Sequence, residues 1–302
     1  MVDFTDEFFA KARTWVDDIY DTRPSTVPPT VYHYTDAAGL VGMLKTGRVW
    51  AADYRFLNDK SEVEHTRKGV RERITRKLGE TEDDLMRRLY GDIIDFQDMP
   101  GASDAFVFSL SAERDDLSQW RGYAREGQGF TIGFSGRVLC RQAEGDESDY
   151  AFFKIEYDHG VQDQAMERAL ADIEEKVQAM VKQKPSTEKK ICMRAAAAYD
   201  WLTEARAVAH KHNSFKSERE WRVVVHLHPG GPLEVQVRSS GLRLIRYLEF
   251  ELDDTGRLPI TEIGIGPGFT GSEEVVAVKT LCNSLGYKPE IYYADTPYRR
   301  LG

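Results

Sequence analysis

An α+β fold is predicted by three features of this 302-residue chain. Helical and strand periodicities are interleaved without the regular strand–helix–strand alternation of a parallel sheet. Short period-two runs such as 105–111 and 130–134 suit strands of an antiparallel or mixed sheet. Two long helices over 161–211 interrupt the strands as an insertion or cap. The predicted organisation is one decorated domain over 1–302. It has an N-terminal helix and linker (1–29), an α+β core (30–160 and 213–302) and a helical insertion (161–212).

Taken in order, an amphipathic helix is expected over about 5–20, and the proline cluster Arg23–Pro29 breaks it. Thr30–Tyr34 reads as a strand. Asp36 and Gly47 then bracket a short helix as N-cap and C-cap, with Leu40, Val41, Met43 and Leu44 as its apolar residues. Val49 and Trp50 resume as a strand. A helix opens at Asn58–Glu64, where Ser61 and Glu64 have capping-box spacing, and runs with breaks to about Met99. Strands follow at 105–111, 130–134 and 152–157, with the helical turn DDLSQWRGYA between the first two. The 161–211 pair divides at Lys184-Pro-Ser-Thr, and Ser186 with Glu188 suits a new helix start. Strands return at 220–228, 233–237, 242–251, 260–265 and 289–293, with a helix at about 272–285 before the last.

Lys plus Arg number 41 against 50 Asp plus Glu, a net charge of −9. This argues against a general nucleic-acid coat, extended duplex binding or an anionic-membrane binder, all of which need a cationic field. A local basic groove is still compatible. Arg71, Arg73, Arg76 and Lys77 form either such a basic face or a solvated helix surface. No stretch approaches the roughly 20 apolar residues of a membrane helix. The start MVDFTDEFFAKAR lacks the basic and apolar regions of a signal peptide. Three widely spaced cysteines at 140, 192 and 282 fit neither a disulfide framework nor a CxxC knuckle, so a reduced, cytoplasmic protein is expected.

Three segments carry groups suited to chemistry. In Val31-Tyr-His33-Tyr-Thr35, His33 and Thr35 point to one face of a strand end and can hold a ribose diol or an amide. A core histidine and a helix-capping Thr give the same pattern. Ser109 and Ser111 share a strand face, and Trp120 and Tyr123 are helical neighbours that can stack a planar ring, or simply pack a core. Glu218 and Glu220 stand two apart where a strand begins. Such a pair can accept a ribose hydroxyl and stabilise an oxocarbenium cation. It is equally the pattern of a solvated edge paired with Arg219 or Arg222. The Gly-rich Ile263–Gly268 lacks dinucleotide-fingerprint spacing, and neither His210/His212 nor His226/His228 has a third ligand at metal spacing, so no metal is expected. One cleft assembled from the three segments suits a nucleotide–ribose and cleavage of its glycosidic bond.

The blocks YHYTDAAGLVGMLKTGRVWAADYRFLND, FSLSAERDDLSQWRGYAREGQGFTIGF, FKSEREWRVV and IGIGPGF…LGY…TPYR resemble a bacterial family of unknown function, domain family 2971, over about 31–300. More distantly, His33-Tyr-Thr35 with Leu40, Met43-Leu44 and Gly47 resembles the first motif of ADP-ribosyltransferases of the diphtheria-toxin and poly(ADP-ribose) polymerase type. That resemblance implies split antiparallel or mixed sheets around a cleft that takes NAD as substrate. It implies His33, Tyr34 and Thr35 at the ribose and nicotinamide, and Ser109, Ser111, Trp120 and Tyr123 as middle-motif candidates. It also implies Glu220 as the catalytic carboxylate with Glu218 acting on the acceptor, a protein or a nucleic acid. Tyr34 stands where that motif usually has glycine, and the middle tyrosine has no single equivalent. A toxin or phage-defence role follows from the same resemblance. The alternatives are a non-catalytic nucleotide- or protein-binding module and a nucleic-acid-targeting toxin.

Overall fold

The computed structural model describes residue 8 and residues 27–57, 60–99, 105–143, 150–227, 233–240 and 243–297. The expected N-terminal helix lies outside these residues apart from Phe8, and so do the capping-box side chains of Ser61 and Glu64.

The described strands are β1 (Thr30–Thr35), β2 (Val49–Asp53), β3 (Ala105–Ser111), β4 (Phe130–Ser135), β5 (Ala151–Lys154), β6 (Glu220–His226), β7 (Gln236–Ser240), β8 (Arg243–Phe250), β9 (Ile260–Ile265) and β10 (Glu290–Tyr293). The described helices are α1 (Ala37–Thr46), α2 (Lys60–Glu80), α3 (Asp84–Gln97), α4 (Leu117–Tyr123), α5 (Gly136–Ala143), α6 (His159–Gln183), α7 (Glu188–Ala209) and α8 (Glu273–Leu285). The architecture is mixed α and β around a ten-stranded mixed sheet.

Strand β3 organises that sheet. Its run AFVFSLS is apolar on both faces, as a central strand requires. One edge pairs along its full length with β6, from Ala105–His226 to Ser111–Glu220. The other edge is shared, with β2 opposite Phe106 and Val107 and β1 opposite Ser111. The sheet therefore forks. Beyond β1 the order runs β4, β9, β10; beyond β2 it runs β8, β7; β5 flanks β6. The β9–β10 pair is parallel and the other paired strands are antiparallel.

Helices cover both faces. Val107, Phe153 and Val224 pack with Ile74 of α2, Leu89 of α3, Ile173 of α6 and Leu202 of α7. Phe106, Phe108 and Val223 pack with Leu44 of α1, Leu139 of α5 and Val278 of α8. Each such fully buried side chain contributes about 1.5–3 kcal/mol over exposure. The pair α6 and α7 thus belongs to the same apolar cluster as α2 and α3.

Local signals explain most boundaries. Asp36 accepts the Gly39 N–H, and Gly47, at φ +68°, donates its N–H to the Met43 carbonyl. The helical stretch read with breaks to Met99 is two helices, and Asp83 caps the second by accepting from the Leu85 and Met86 N–H groups. Helix α5 follows directly on β4, beyond the period-two run that ends at Phe134. Strand β5 ends at Lys154 rather than 157, since Glu156 forms only an isolated bridge to His210. Strand β7 lies at 236–240 rather than 233–237. No described helix is long and apolar enough to cross a membrane. All three cysteines are buried, and none forms a disulfide among the described residues.

Candidate functional site

The fork in the sheet creates the site. Between the residues paired to β2 and the one paired to β1, residues 108–110 of β3 have no strand partner on that edge. His33 Nδ1 fills the gap, 3.0 Å from the Ser109 carbonyl oxygen. A carbonyl only accepts, so Nδ1 carries the proton and Nε2 is the ring's acceptor. The imidazole lies 4.4 Å from the Phe108 ring. Burial holds its pKa down to about 4, with the Ser109 hydrogen bond opposing and the Arg238 charge assisting. His33 is therefore neutral near pH 7.

The two glutamates arrive from the other side of β3. A 3-10 turn over Asn213–Glu218 leads through Arg219, at φ +45°, into β6. A left-handed non-glycine residue costs of order 1 kcal/mol and holds only where its surroundings fix it. Here the Ser111 hydroxyl donates to the Glu218 carbonyl at 2.7 Å, and the Tyr157 hydroxyl accepts the Glu220 N–H at 3.0 Å. Glu220 and Arg222 share a strand face. Arg222 Nε and Nη2 lie 2.7 and 3.2 Å from the Glu220 carboxylate, and Lys211 Nζ lies 2.9 Å from it. Lys211 also donates to Glu218, and Arg222 Nη1 donates to the Val208 carbonyl at 2.7 Å.

This network sets the charges. Burial alone raises the Glu220 carboxyl, but Arg222 and Lys211 overcome it and hold it down to about 2. Burial raises Glu218 despite the opposing charge of Lys211. Burial works against the Lys211 ammonium, yet Glu220 and Glu218 keep its pKa raised. Two carboxylates and two cations thus form a closed, balanced cluster at the floor of the cleft.

The cleft has a volume of about 90 Å³. His33, Tyr34, Ser109, Tyr123, Glu218 and Glu220 line it together. Thr35, Ser111 and Trp120 are not among its lining residues. Trp120 is 0% exposed, donates Nε1 to Asp115 at 2.6 Å and packs edge-on against Tyr34. Tyr123, 40% exposed, lines the cleft instead. Thr35 Oγ1 sits against Gly39 in the first turn of α1. Ser111 braces the turn before β6. The Tyr34 hydroxyl is occupied by the Glu113 carbonyl and the Asp116 N–H, so only its ring faces the cleft.

Sequence reasoning missed Tyr32, Leu57, Leu110, Gln119, Lys211 and Arg222 as lining groups. Arg222 pairs with Glu220 in the interior and not at a solvated strand edge, since both residues are buried. Among the described residues no group of three His, Cys, Asp or Glu side chains gathers as a metal site.

Residues 119–223 match the model of a family described as a protein of unknown function (DUF2971). The match runs from Gln119 in α4 to Val223 in β6. It supports the resemblance to DUF2971 drawn from the sequence, over a shorter span than 31–300. The matched stretch holds Tyr123, Lys211, Glu218, Glu220 and Arg222, while His33 and Ser109 lie outside it. No curated protein and no solved structure matches the chain.

Proposed function

We propose that the cleft takes NAD as substrate, breaks its nicotinamide–ribose bond and transfers ADP-ribose to a macromolecular acceptor. One observation carries this reading. A buried, ionised carboxylate at the start of β6 and a neutral strand-end histidine on β1 line the same cleft across the fork. The distant resemblance of the His33, Ser109/Tyr123 and Glu220 segments to ADP-ribosyltransferases supports it.

In this reading Tyr123 stacks the nicotinamide ring, and His33 Nε2 accepts a hydrogen bond from a ribose hydroxyl. As the C1′–N bond breaks, its electron pair leaves with nicotinamide and positive charge grows on the ribose. Glu220 stabilises that charge, a preorganised electrostatic effect. The acceptor nucleophile then bonds to C1′ and yields its proton to Glu218, whose raised pKa suits a base.

A second reading, a non-catalytic nucleotide- or protein-binding module, is favoured by one feature. The Glu220 charge is already matched by Arg222 and Lys211.

Labelled NAD incubated with cell lysate separates the two. Wild-type protein is expected to label an acceptor, with a loss of about 100-fold or more in Glu220→Gln. Glu218→Gln, which keeps the Glu220–Arg222 pair, is a second variant less exposed to misfolding, and melting curves check both. NAD binding by calorimetry without transfer selects the binding module. Absence of both NAD binding and transfer rejects the NAD reading and leaves a protein-binding module.

A further inference from the structure

Gln119 is a cleft residue that the proposed reaction does not use. It lies on α4, where Asp116 accepts its backbone N–H at 3.0 Å. The residue is only 7% exposed and lines the cleft. Its side-chain amide has no hydrogen-bond partner among the described residues. An amide that lines a cleft and makes no bond within the protein can pair with a ligand that matches it.

We propose that Gln119 is a specificity-determining residue that reads the primary carboxamide of an aromatic ligand. A glutamine amide presents one acceptor and two donors in a plane. Its natural complement is another primary amide, held by a reciprocal pair of N–H···O bonds. Tyr123 lies four residues further on, on the same side of the helix, so a ring against Tyr123 carries its carboxamide toward Gln119. Leu57 and Leu110 supply apolar lining. The charged groups of the floor are already paired with one another, which disfavours a carboxylate in place of the amide. The proposal rests on the reading of the cleft as a nicotinamide site and names the residue that gives it selectivity.

The test measures binding of nicotinamide, nicotinic acid and 3-acetylpyridine to the full chain by calorimetry. The wild-type protein is expected to prefer nicotinamide by about 10-fold or more, since the other two lose an amide donor. Gln119→Leu is expected to weaken nicotinamide by about 10-fold or more and to leave 3-acetylpyridine nearly unchanged. Gln119→Met, close in shape to glutamine, guards against a packing artefact, and both variants are checked by melting temperature. An unchanged preference in folded Gln119→Leu and Gln119→Met overturns the role of Gln119 and leaves the NAD reading standing. Failure of the wild-type protein to bind any of the three overturns both. Selective amide binding with no ADP-ribose transfer upholds Gln119 and removes only the transfer step.

Discussion

His33 Nδ1 and the Ser109 carbonyl meet at 3.0 Å where β1 and β2 part company along β3. That contact closes the fork and fixes the tautomer that leaves Nε2 as an acceptor. It yields a pH prediction. The folded pKa of about 4 lies below the ordinary value of about 6.5, so the unfolded chain binds more protons between them. The contribution of neutral His33 is fully present above about pH 6.5 and is lost as pH falls toward 4. Denaturation at several pH values is expected to show this slope, reduced in His33→Gln.

The Glu220–Arg222 pair makes the second prediction. Removing one partner of a buried pair leaves an uncompensated charge and costs about 3–5 kcal/mol. Arg222→Met alone is expected to lose stability in that range, and Arg222→Met with Glu220→Leu to recover much of it. A double-mutant cycle in urea measures the coupling. Because Glu220 titrates near 2 when folded against about 4.3 unfolded, its contribution is present above about pH 4.3 and is lost as pH falls through 2.

Gly47 supplies a test of the fold away from the cleft. It sits at φ +68°, and a Cβ there would meet the Gly256 carbonyl oxygen at 2.5 Å. Gly47→Ala therefore adds backbone strain to a clash with main chain. A loss of about 2 kcal/mol or more is expected by thermal melting.

Trp120 and Tyr123 are expected to separate stability from binding. Trp120→Ala opens a cavity under Tyr34 and is expected to cost about 3–5 kcal/mol. Tyr123→Ala, on the exposed lip, is expected to stay within about 0.5–1 kcal/mol of wild type while weakening NAD about 10-fold. The reverse pattern, with Trp120 governing affinity, counts against the stacking role of Tyr123.

The contrast between these two aromatics marks how far the sequence could be read. Helix α1 was legible because Asp36 and Gly47 are local signals, and β3 and β4 were legible from their period-two runs. Burial was not legible. Trp120 and Tyr123 share one helical turn, and Trp120 is the buried one because it packs on Tyr34 and bonds Asp115. Glu218 and Glu220 were visible as a pair, but Lys211 looked like the end of a helix beside two histidines. The fork at β3 sets which segments meet, and no local pattern specifies register between strands so far apart. Gln119 was hidden as one polar residue within a capped turn.

The NAD assignment is tested most directly by the side-chain nitrogen spectrum of His33 during titration with NAD. A neutral imidazole protonated at Nδ1 is expected at pH 7, with a saturable shift at Nε2 as NAD occupies the cleft. The same titration is expected to leave exposed His212 unchanged. An Nε2 signal that does not move at any NAD concentration would contradict the assignment of the cleft.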